Sequence, residues 1–346
     1  MKVAVAVSGG VDSMVAAHLL KTTAHDIFAI HFVTGFESPE SVQSIKKTAA
    51  YLHQNNIKLI VLDIHQHFQD IVIQYFVSAY ASGQTPNPCV ICNASIKFGV
   101  VRAHAMKLGA DVIATGHYAQ VEQQGRYHVL KKGIDSKKDQ SYFLGLLRSS
   151  QLSSIIFPLG NWTKNDVSQY ADKHGISEFT QNESQEICFI PGRYQDFLLQ
   201  HGCLHQKPGP IITTSGKKIG EHNGLHAFTV GQRRGINCPG PYPYYVVKLL
   251  QSQNTLVVGE KTDLLSNRCV VDDINWILPP PESPINIHAR IRYKTKAVAS
   301  ILVPVNRKQV ELYFDTPQSA VTPGQIAIFY QEDIVLGGGK IIVPFL

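Results

Sequence analysis

The stretch AVAVSGGVDSMVAAHLL, Ala4–Leu20, decides how the fold is read. It continues the apolar, β-branched run Lys2–Val7, which has the look of a buried strand. Two glycines follow, then Asp12 and Ser13, then a helical pattern over Ser13–Lys21. Gly9 and Gly10 let the backbone adopt positive φ and approach a ligand closely. The amides that open the next helix then face an anion, helped by the helix dipole. A phosphate site is the functional reading of this turn. A tight turn capped by Asp12 and Ser13 is the structural one. The Lys-Ser/Thr ending of a P-loop is missing, and so is a G-x-G-x-x-G fingerprint.

Outward from this turn, Asp26–Val33, Ile57–Ile64 and Asp111–Gly116 are further short apolar runs, with helical stretches between them. Ser38 is a fitting N-cap with Pro39 at the first helical position. The alternation predicts a doubly covered parallel sheet, an α/β domain whose ligand edge lies beyond the carboxyl ends of its strands. SGGVDS and the later TGHY (Thr115–Tyr118) both fall on that edge. After about Gly202 the sequence turns rich in Gly and Pro, and NTLVVGE, QVELYFD and QIAIFY read as strands. Two small β domains are expected, the last barrel-like. The expected boundaries are 1–202, 203–268 and 269–346.

The chain has 346 residues, 44% hydrophobic and 17% charged, as in globular proteins with sizeable cores. It holds no apolar run of the roughly 20 residues that span a bilayer. MKVAVAVSGG is too short for a signal peptide, so a cytoplasmic protein without membrane partners is expected. A net charge of +6 is weak evidence for a polyanionic partner. Six cysteines in such a chain should be mostly reduced, and any disulfide transient and catalytic.

TPNPCVICNASIKFG, Thr85–Gly99, holds Cys89 and Cys92 ahead of a helix. A C-x-x-C at a helix start is expected to have lowered thiol pKa values. Half a zinc site, a redox pair and a catalytic thiol beside a nucleotide all remain open. No full metal-ligand set is apparent, so no resident metal is expected. Cys188, in ESQEICFIPG, reads either as a buried core cysteine or as a functional one. Its distance along the chain from Cys92 leaves their pairing open. In ARIRYKTKA, Arg290, Arg292, Lys294 and Lys296 alternate with period two. One strand face is therefore expected to carry four cations, for phosphate contacts or for protection of an edge.

SGGVDS resembles the pyrophosphate loop of the N-type ATP pyrophosphatases. SGGVDS, TPNPCVICNASIKFG, ATGHYAQ, KKDQSYFL, ESQEICFIPG, GLHAFTVGQRRGI, YYVV and TPGQIAIFY follow the order seen in the tRNA-specific 2-thiouridylases. The resemblance spans nearly the whole chain. It implies an enzyme, a tRNA-uridine 2-sulfurtransferase, that adenylates the carbon-2 oxygen of the wobble uridine (position 34) and then delivers persulfide sulfur. ATP with magnesium would lie against Ala6, Val7, Ser8, Gly9, Gly10, Val11, Asp12, Ser13, Phe32 and Gly116. Cys188 would carry the persulfide, and Cys92 would be the nucleophile that forms a disulfide with it. Cys89 stands where many relatives have an aspartate with an acid/base role. Asn87, Pro88 and Cys89 would face the target base. His117, Lys138, Asp139, Gln140, Arg292, Tyr293 and Gln325 would touch tRNA. The implied partners are the tRNAs for Lys, Glu and Gln, and a sulfur donor such as a cysteine desulfurase or relay protein. Two rivals stay open on the residues alone: another adenylating synthetase, and a non-catalytic RNA-binding protein with a vestigial nucleotide loop.

Overall fold

The computed structural model describes residues 1–23, 26–176, 187–190, 192–201 and 207–345. Its first part supplies strands β1 (Lys2–Ala6), β2 (Asp26–Val33), β3 (Lys58–Asp63), β4 (Val112–Thr115), β5 (Ala119–Gln124), β6 (Tyr127–Lys132) and β7 (Ile155–Ile156). Five of them form a parallel sheet in the order β3-β2-β1-β4-β7. The strands read as continuous apolar runs because both faces are buried. Val3, Val5, Ile27 and Ala29 pack with Met14, Val15 and Ala17 of the helix Val11–Thr22. Ala4, Phe28 and Ile30 face a second core containing Phe68, Phe76, Val90 and Ile96. Ser38 caps the helix Pro39–Gln54, accepting from the Ser41 amide at 3.3 Å. Among the described residues no helix is long and apolar enough to cross a membrane.

The second part holds β8 (Gly209–Thr213), β9 (Lys218–His222), β10 (Tyr245–Leu250) and β11 (Thr255–Gly259), in a sheet ordered β10-β11-β8-β9. Ile211, Phe228, Val246, Leu256 and Val258 fill its core. The third part holds β12 (Leu265–Trp276), β13 (Ile285–Arg290), β14 (Val298–Asn306), β15 (Gln309–Ser319), β16 (Ile326–Gln331) and β17 (Ile334–Phe345). These run in the order β12-β15-β14-β13-β16-β17, and β17 pairs back with β12. The result is a closed six-stranded barrel, in which closure removes the free edges. The α/β sheet followed by two β domains agrees with the sequence reading. The expected boundary at 202/203 lies outside the described residues. Strand β12 runs through the expected boundary at 268/269, because Leu265 already pairs with Ser319 in the barrel.

Two arrangements differ from expectation. Hairpin β5–β6 leaves the first sheet and joins the barrel through Leu130 and Lys131, opposite Val335 and Ile334 of β17. The four-cation strand face does not form. Strand β13 ends at Arg290, and residues 291–297 turn back before β14. The Arg290 guanidinium enforces this turn by donating to the carbonyls of Tyr293 and Thr295, and to Asp139 at 3.2 Å. It also lies over the rings of Tyr142 and Tyr293, at 5.5 and 5.2 Å. Lys294 and Lys296 stay exposed on the turn.

Asp139 and Arg290 therefore tie the first part to the barrel. Asp139 is 6% exposed, and it also accepts from the amides of Gly133 and Ser141 and from the Ser141 hydroxyl. Removing one partner of a buried pair leaves an uncompensated charge and costs about 3–5 kcal/mol. Asp139→Ala should lower the thermal unfolding midpoint by several degrees. A midpoint equal to that of the parent protein would show that this pair does not hold the two parts together.

Candidate functional site

The glycine turn is built as a cradle. Gly9 has φ +87°, a conformation that favours glycine. Gly10 is the N-cap of the helix Val11–Thr22 and supplies no side chain to it, so no side chain competes for the opening amides. The Ser13 hydroxyl donates to the Gly10 carbonyl at 2.8 Å and accepts from the Ser8 amide at 3.2 Å, which fixes the curve of the loop. Asp12 is held from two sides, by the Tyr118 hydroxyl at 2.7 Å and by the Lys164 ammonium at 2.8 Å. Lys164, at the start of the helix Lys164–Lys173, was not singled out in the sequence, since nothing local links it to the loop. Gly116 meets the turn backbone to backbone: a Cβ there would lie 2.7 Å from the carbonyl carbon of Asp12. Behind the loop, Val7 donates to the Ile30 carbonyl and accepts from the His31 ring at 2.9 Å. Ala6 ends β1, and Phe32, next to the end of β2, is half-buried against the core.

The thiols lie on the same face of the sheet as the second core. Asn87 caps the helix that Pro88 opens, accepting from the Val90 amide at 3.4 Å. Cys89 and Cys92 sit one turn apart on this helix, both half-buried, so they share a side. From Cys92 to Val101 the helix is π-helical. Its i→i+5 bonding widens the turn and brings Lys97 toward the face of Cys92. Cys188 reaches the same place from far along the chain. Its neighbours Phe189 and Ile190 are buried in the cluster that holds Val90, against which Cys92 packs. Cys188 itself is exposed and is not the buried core cysteine of the bland reading. All three thiols are free.

The electrostatics correct one expectation. A helix start was expected to lower the thiol pKa values, but burial dominates. It pushes Cys89 up to about 11, with Cys188 adding to the rise. It pushes Cys92 up to about 12, and Cys188 and Cys89 raise it further. Dehydration also raises Cys188, although its surface is open. Lys97 is the cation that opposes burial at all three. It bears on His117 too, whose ring is driven well below its ordinary value by burial first and Lys97 second, and is therefore neutral. His117 Nδ1 lies 2.7 Å from the Thr115 hydroxyl, and the ring packs against Phe98 and Phe157. Glu37 faces Cys188. Burial raises its pKa, but hydrogen bonds from Thr34 and from the Gly35 amide outweigh this and hold it as a carboxylate. The thiols thus connect through Lys97 and His117 to Gly116, and from there to the phosphate loop.

The residues expected to touch RNA divide. Lys138 is half-buried, and Gln140 is locked to Tyr118 by two hydrogen bonds, at 3.0 and 2.9 Å. Asp139 does not present a free carboxylate, because it is buried on Arg290. Arg292 turns inward to the Thr322 hydroxyl and the Val230 carbonyl, joining the barrel to the central domain. In the protein alone the polar groups of both residues have partners inside it. The Tyr293 ring lies tilted against Phe143, with centroids 4.2 Å apart, and the Phe143 carbonyl accepts from the Asn93 side chain beside Cys92. Gln325 donates to the carbonyls of Thr85 and Pro86, at 2.9 and 3.3 Å, in the loop that leads to Asn87. The barrel therefore holds the thiol loop directly.

The parallel sheet with a glycine cradle at its ligand edge, followed by two β domains, places the first part of the chain in the HUP class. The family description tRNA methyl transferase HUP domain matches residues 1–192. A PRC-barrel domain of the same family matches 195–260, and an aminomethyltransferase beta-barrel domain matches 266–341. A curated tRNA-specific 2-thiouridylase from Desulfosudis oleivorans is 45% identical over 98% of this chain and 94% of its own length. One from Syntrophotalea carbinolica is 41% identical over 97% of each chain. The solved U34-tRNA thiolase from Methanococcus maripaludis is 16% identical, covering 58% of this chain and 64% of its own, with a TM-score of 0.35. The chain belongs to the tRNA-specific 2-thiouridylase family, whose members are sulfurtransferases.

Gly116→Ala should displace the Asp12–Ser13 backbone and weaken ATP binding by about tenfold or more, or ~1.4 kcal/mol, in a calorimetric titration. Equal affinity would remove the loop contact from the account. Below its raised pKa, Cys92 alkylation should quicken about tenfold per pH unit, and Lys97→Met should slow it at any one pH. Unchanged alkylation in that variant would mean that Lys97 does not act on the thiol.

Proposed function

We propose that the protein is an ATP-dependent sulfurtransferase acting on carbon 2 of the wobble uridine (position 34) of tRNA. The observation that carries this reading is the meeting of Cys92 and Cys188 beside a shared lysine, joined through His117 and Gly116 to a phosphate cradle. A synthetase that adenylates a small acid has no use for two converging thiols, and neither does a passive RNA-binding protein.

The uracil oxygen is a poor leaving group, so it first attacks the α-phosphorus of ATP. Pyrophosphate leaves, and AMP becomes the leaving group on carbon 2. Ser8 to Ser13 hold the pyrophosphate, with Ala6, Val7, Phe32 and Gly116 bordering the rest of the nucleotide. Magnesium arrives on the phosphates, where it neutralises charge during transfer. Asp12 is the carboxylate on the loop, held by Lys164 and Tyr118.

A donor, a cysteine desulfurase or relay protein, loads Cys188 with persulfide sulfur. The exposure of Cys188 suits delivery from outside. The terminal sulfur attacks carbon 2 and displaces AMP, leaving uracil linked to Cys188 through two sulfurs. Cys92 then loses its proton and attacks the Cys188 sulfur. The bond between the Cys188 sulfur and the transferred sulfur breaks, 2-thiouridine leaves, and a Cys92–Cys188 disulfide remains. The two electrons that reduce the transferred sulfur come from the two thiols. Only a thiolate performs such an attack. The resting thiols are therefore neutral, and Lys97 is the cation placed to stabilise the anion as it forms.

Asn87, Pro88 and Cys89 meet the extruded base, since chemistry on carbon 2 needs a base out of its stack. His117, Lys138, Gln140, Tyr293 and Gln325 line the approach to it, and exposed Lys294 and Lys296 meet phosphates. The acceptors are the tRNAs for Lys, Glu and Gln, and the compartment is the cytoplasm.

Cys92→Ser and Cys188→Ser should each reduce 2-thiouridine formation at least about a hundredfold, read by mass spectrometry of tRNA nucleosides. Near-full activity in either variant would remove that thiol from the mechanism. Replacing Lys294 and Lys296 by alanine should reduce the slope of log affinity against log salt by about 1–2 while ATP binding holds. An unchanged slope would move the phosphate contacts elsewhere.

A further inference from the structure

The sulfur-transfer steps use Cys92 and Cys188 but give Cys89 no thiol chemistry. Cys89 is nonetheless half-buried, free, and one helical turn from Cys92. Two cysteines three residues apart at a helix start have the spacing of dithiols that oxidise reversibly. Cys188 lies within electrostatic reach of the same pair, and its neighbours Phe189 and Ile190 are buried in the core that also holds Val90, one of the two residues between the helix cysteines. Three thiols share one Lys97.

We propose that Cys89 is the resolving thiol of the cycle, taking Cys92 over from the Cys92–Cys188 disulfide so that the oxidised form becomes Cys89–Cys92. The proposal rests on the reading above that each turnover ends in a Cys92–Cys188 disulfide. Cys89 gives up its proton and its sulfur attacks the Cys92 sulfur. The Cys89–Cys92 bond forms, the Cys92–Cys188 bond breaks, and Cys188 leaves as a thiolate that takes up the proton. One disulfide replaces another, so this step involves no net oxidation. An external thiol or dithiol then reduces Cys89–Cys92 and is itself oxidised to a disulfide.

Exposure sets the direction. Cys188 is the exposed member, so its departing thiolate reaches water and keeps the charge of Lys97 nearby. Cys89 and Cys92 are held on one helix, where ring closure is local. The exchange frees the sulfur that must be reloaded from outside and parks the disulfide on two residues of one helix.

The test uses the full chain with tRNA transcript, ATP and magnesium chloride, after persulfide loading with polysulfide and removal of excess. One turnover runs without reductant. Thiols are then blocked with N-ethylmaleimide and disulfides mapped by peptide mass spectrometry. The wild type should show Cys89–Cys92 in about tenfold excess over Cys92–Cys188. Cys89→Ser should accumulate Cys92–Cys188 instead, and with limiting dithiothreitol its later turnovers should slow more than its first. Cys89→Ala, with ATP affinity measured alongside, should give the same shift and so exclude misfolding as its cause. Cys92–Cys188 as the main disulfide of the wild type would overturn the proposal. So would iron or zinc retained at one site per chain and lost in Cys89→Ser. Thiolated tRNA with no disulfide in either protein would instead overturn the reading on which the proposal rests.

Discussion

The burial of Phe189 is the contact on which the site depends. Its ring packs against Phe36, Phe68, Phe76 and Phe197, in the same core that carries Val90. Nothing about a thiol holds it in place, since sulfhydryls bond weakly. The aromatic anchor does this for Cys188, and leaves the sulfur itself exposed while its neighbours are not. Burial of such a ring contributes about 2–3 kcal/mol, enough to fix one end of a segment without freezing the thiol. The same arrangement reconciles two demands, that the thiol be reachable by a donor and that it lie near Cys92.

Burial also sets the chemistry of the resting site. Cys89 and Cys92 are held as neutral thiols because low polarity disfavours their anions, and Lys97 opposes this without reversing it. A site that kept permanent thiolates beside ATP would be open to oxidation and to unproductive attack. His117 follows the same logic with opposite sign: burial and Lys97 both remove its charge. The positive charge at the centre of the site is therefore left to Lys97.

Much of this was legible in the sequence, and the parts that were not share a cause. Strand β1, the glycine turn and the following helix are read from local pattern because their partners are their own neighbours. The Ser38 cap is local in the same way. The paired cysteines stood out by spacing and by family resemblance. Lys97 stood in the quoted motif without a role, because an α-helix would turn it away from Cys92 and only the π-helical stretch turns it back. The period-two cations of ARIRYKTKA followed the strand rule and failed. Arg290 found Asp139, 151 residues away, and folded the chain over its own guanidinium. Hairpin β5–β6 could not be assigned to the barrel from its own residues, since its partner strand is the last of the chain.

The central claim is that Cys92 and Cys188 already face each other before RNA arrives. A short bifunctional thiol reagent such as dibromobimane tests it directly, because it fluoresces strongly once it bridges two sulfurs. In a chain keeping only these two of its cysteines, free of tRNA, the account predicts a bridged Cys92–Cys188 peptide at a yield well above a denatured control. Singly labelled thiols without a bridge would contradict it.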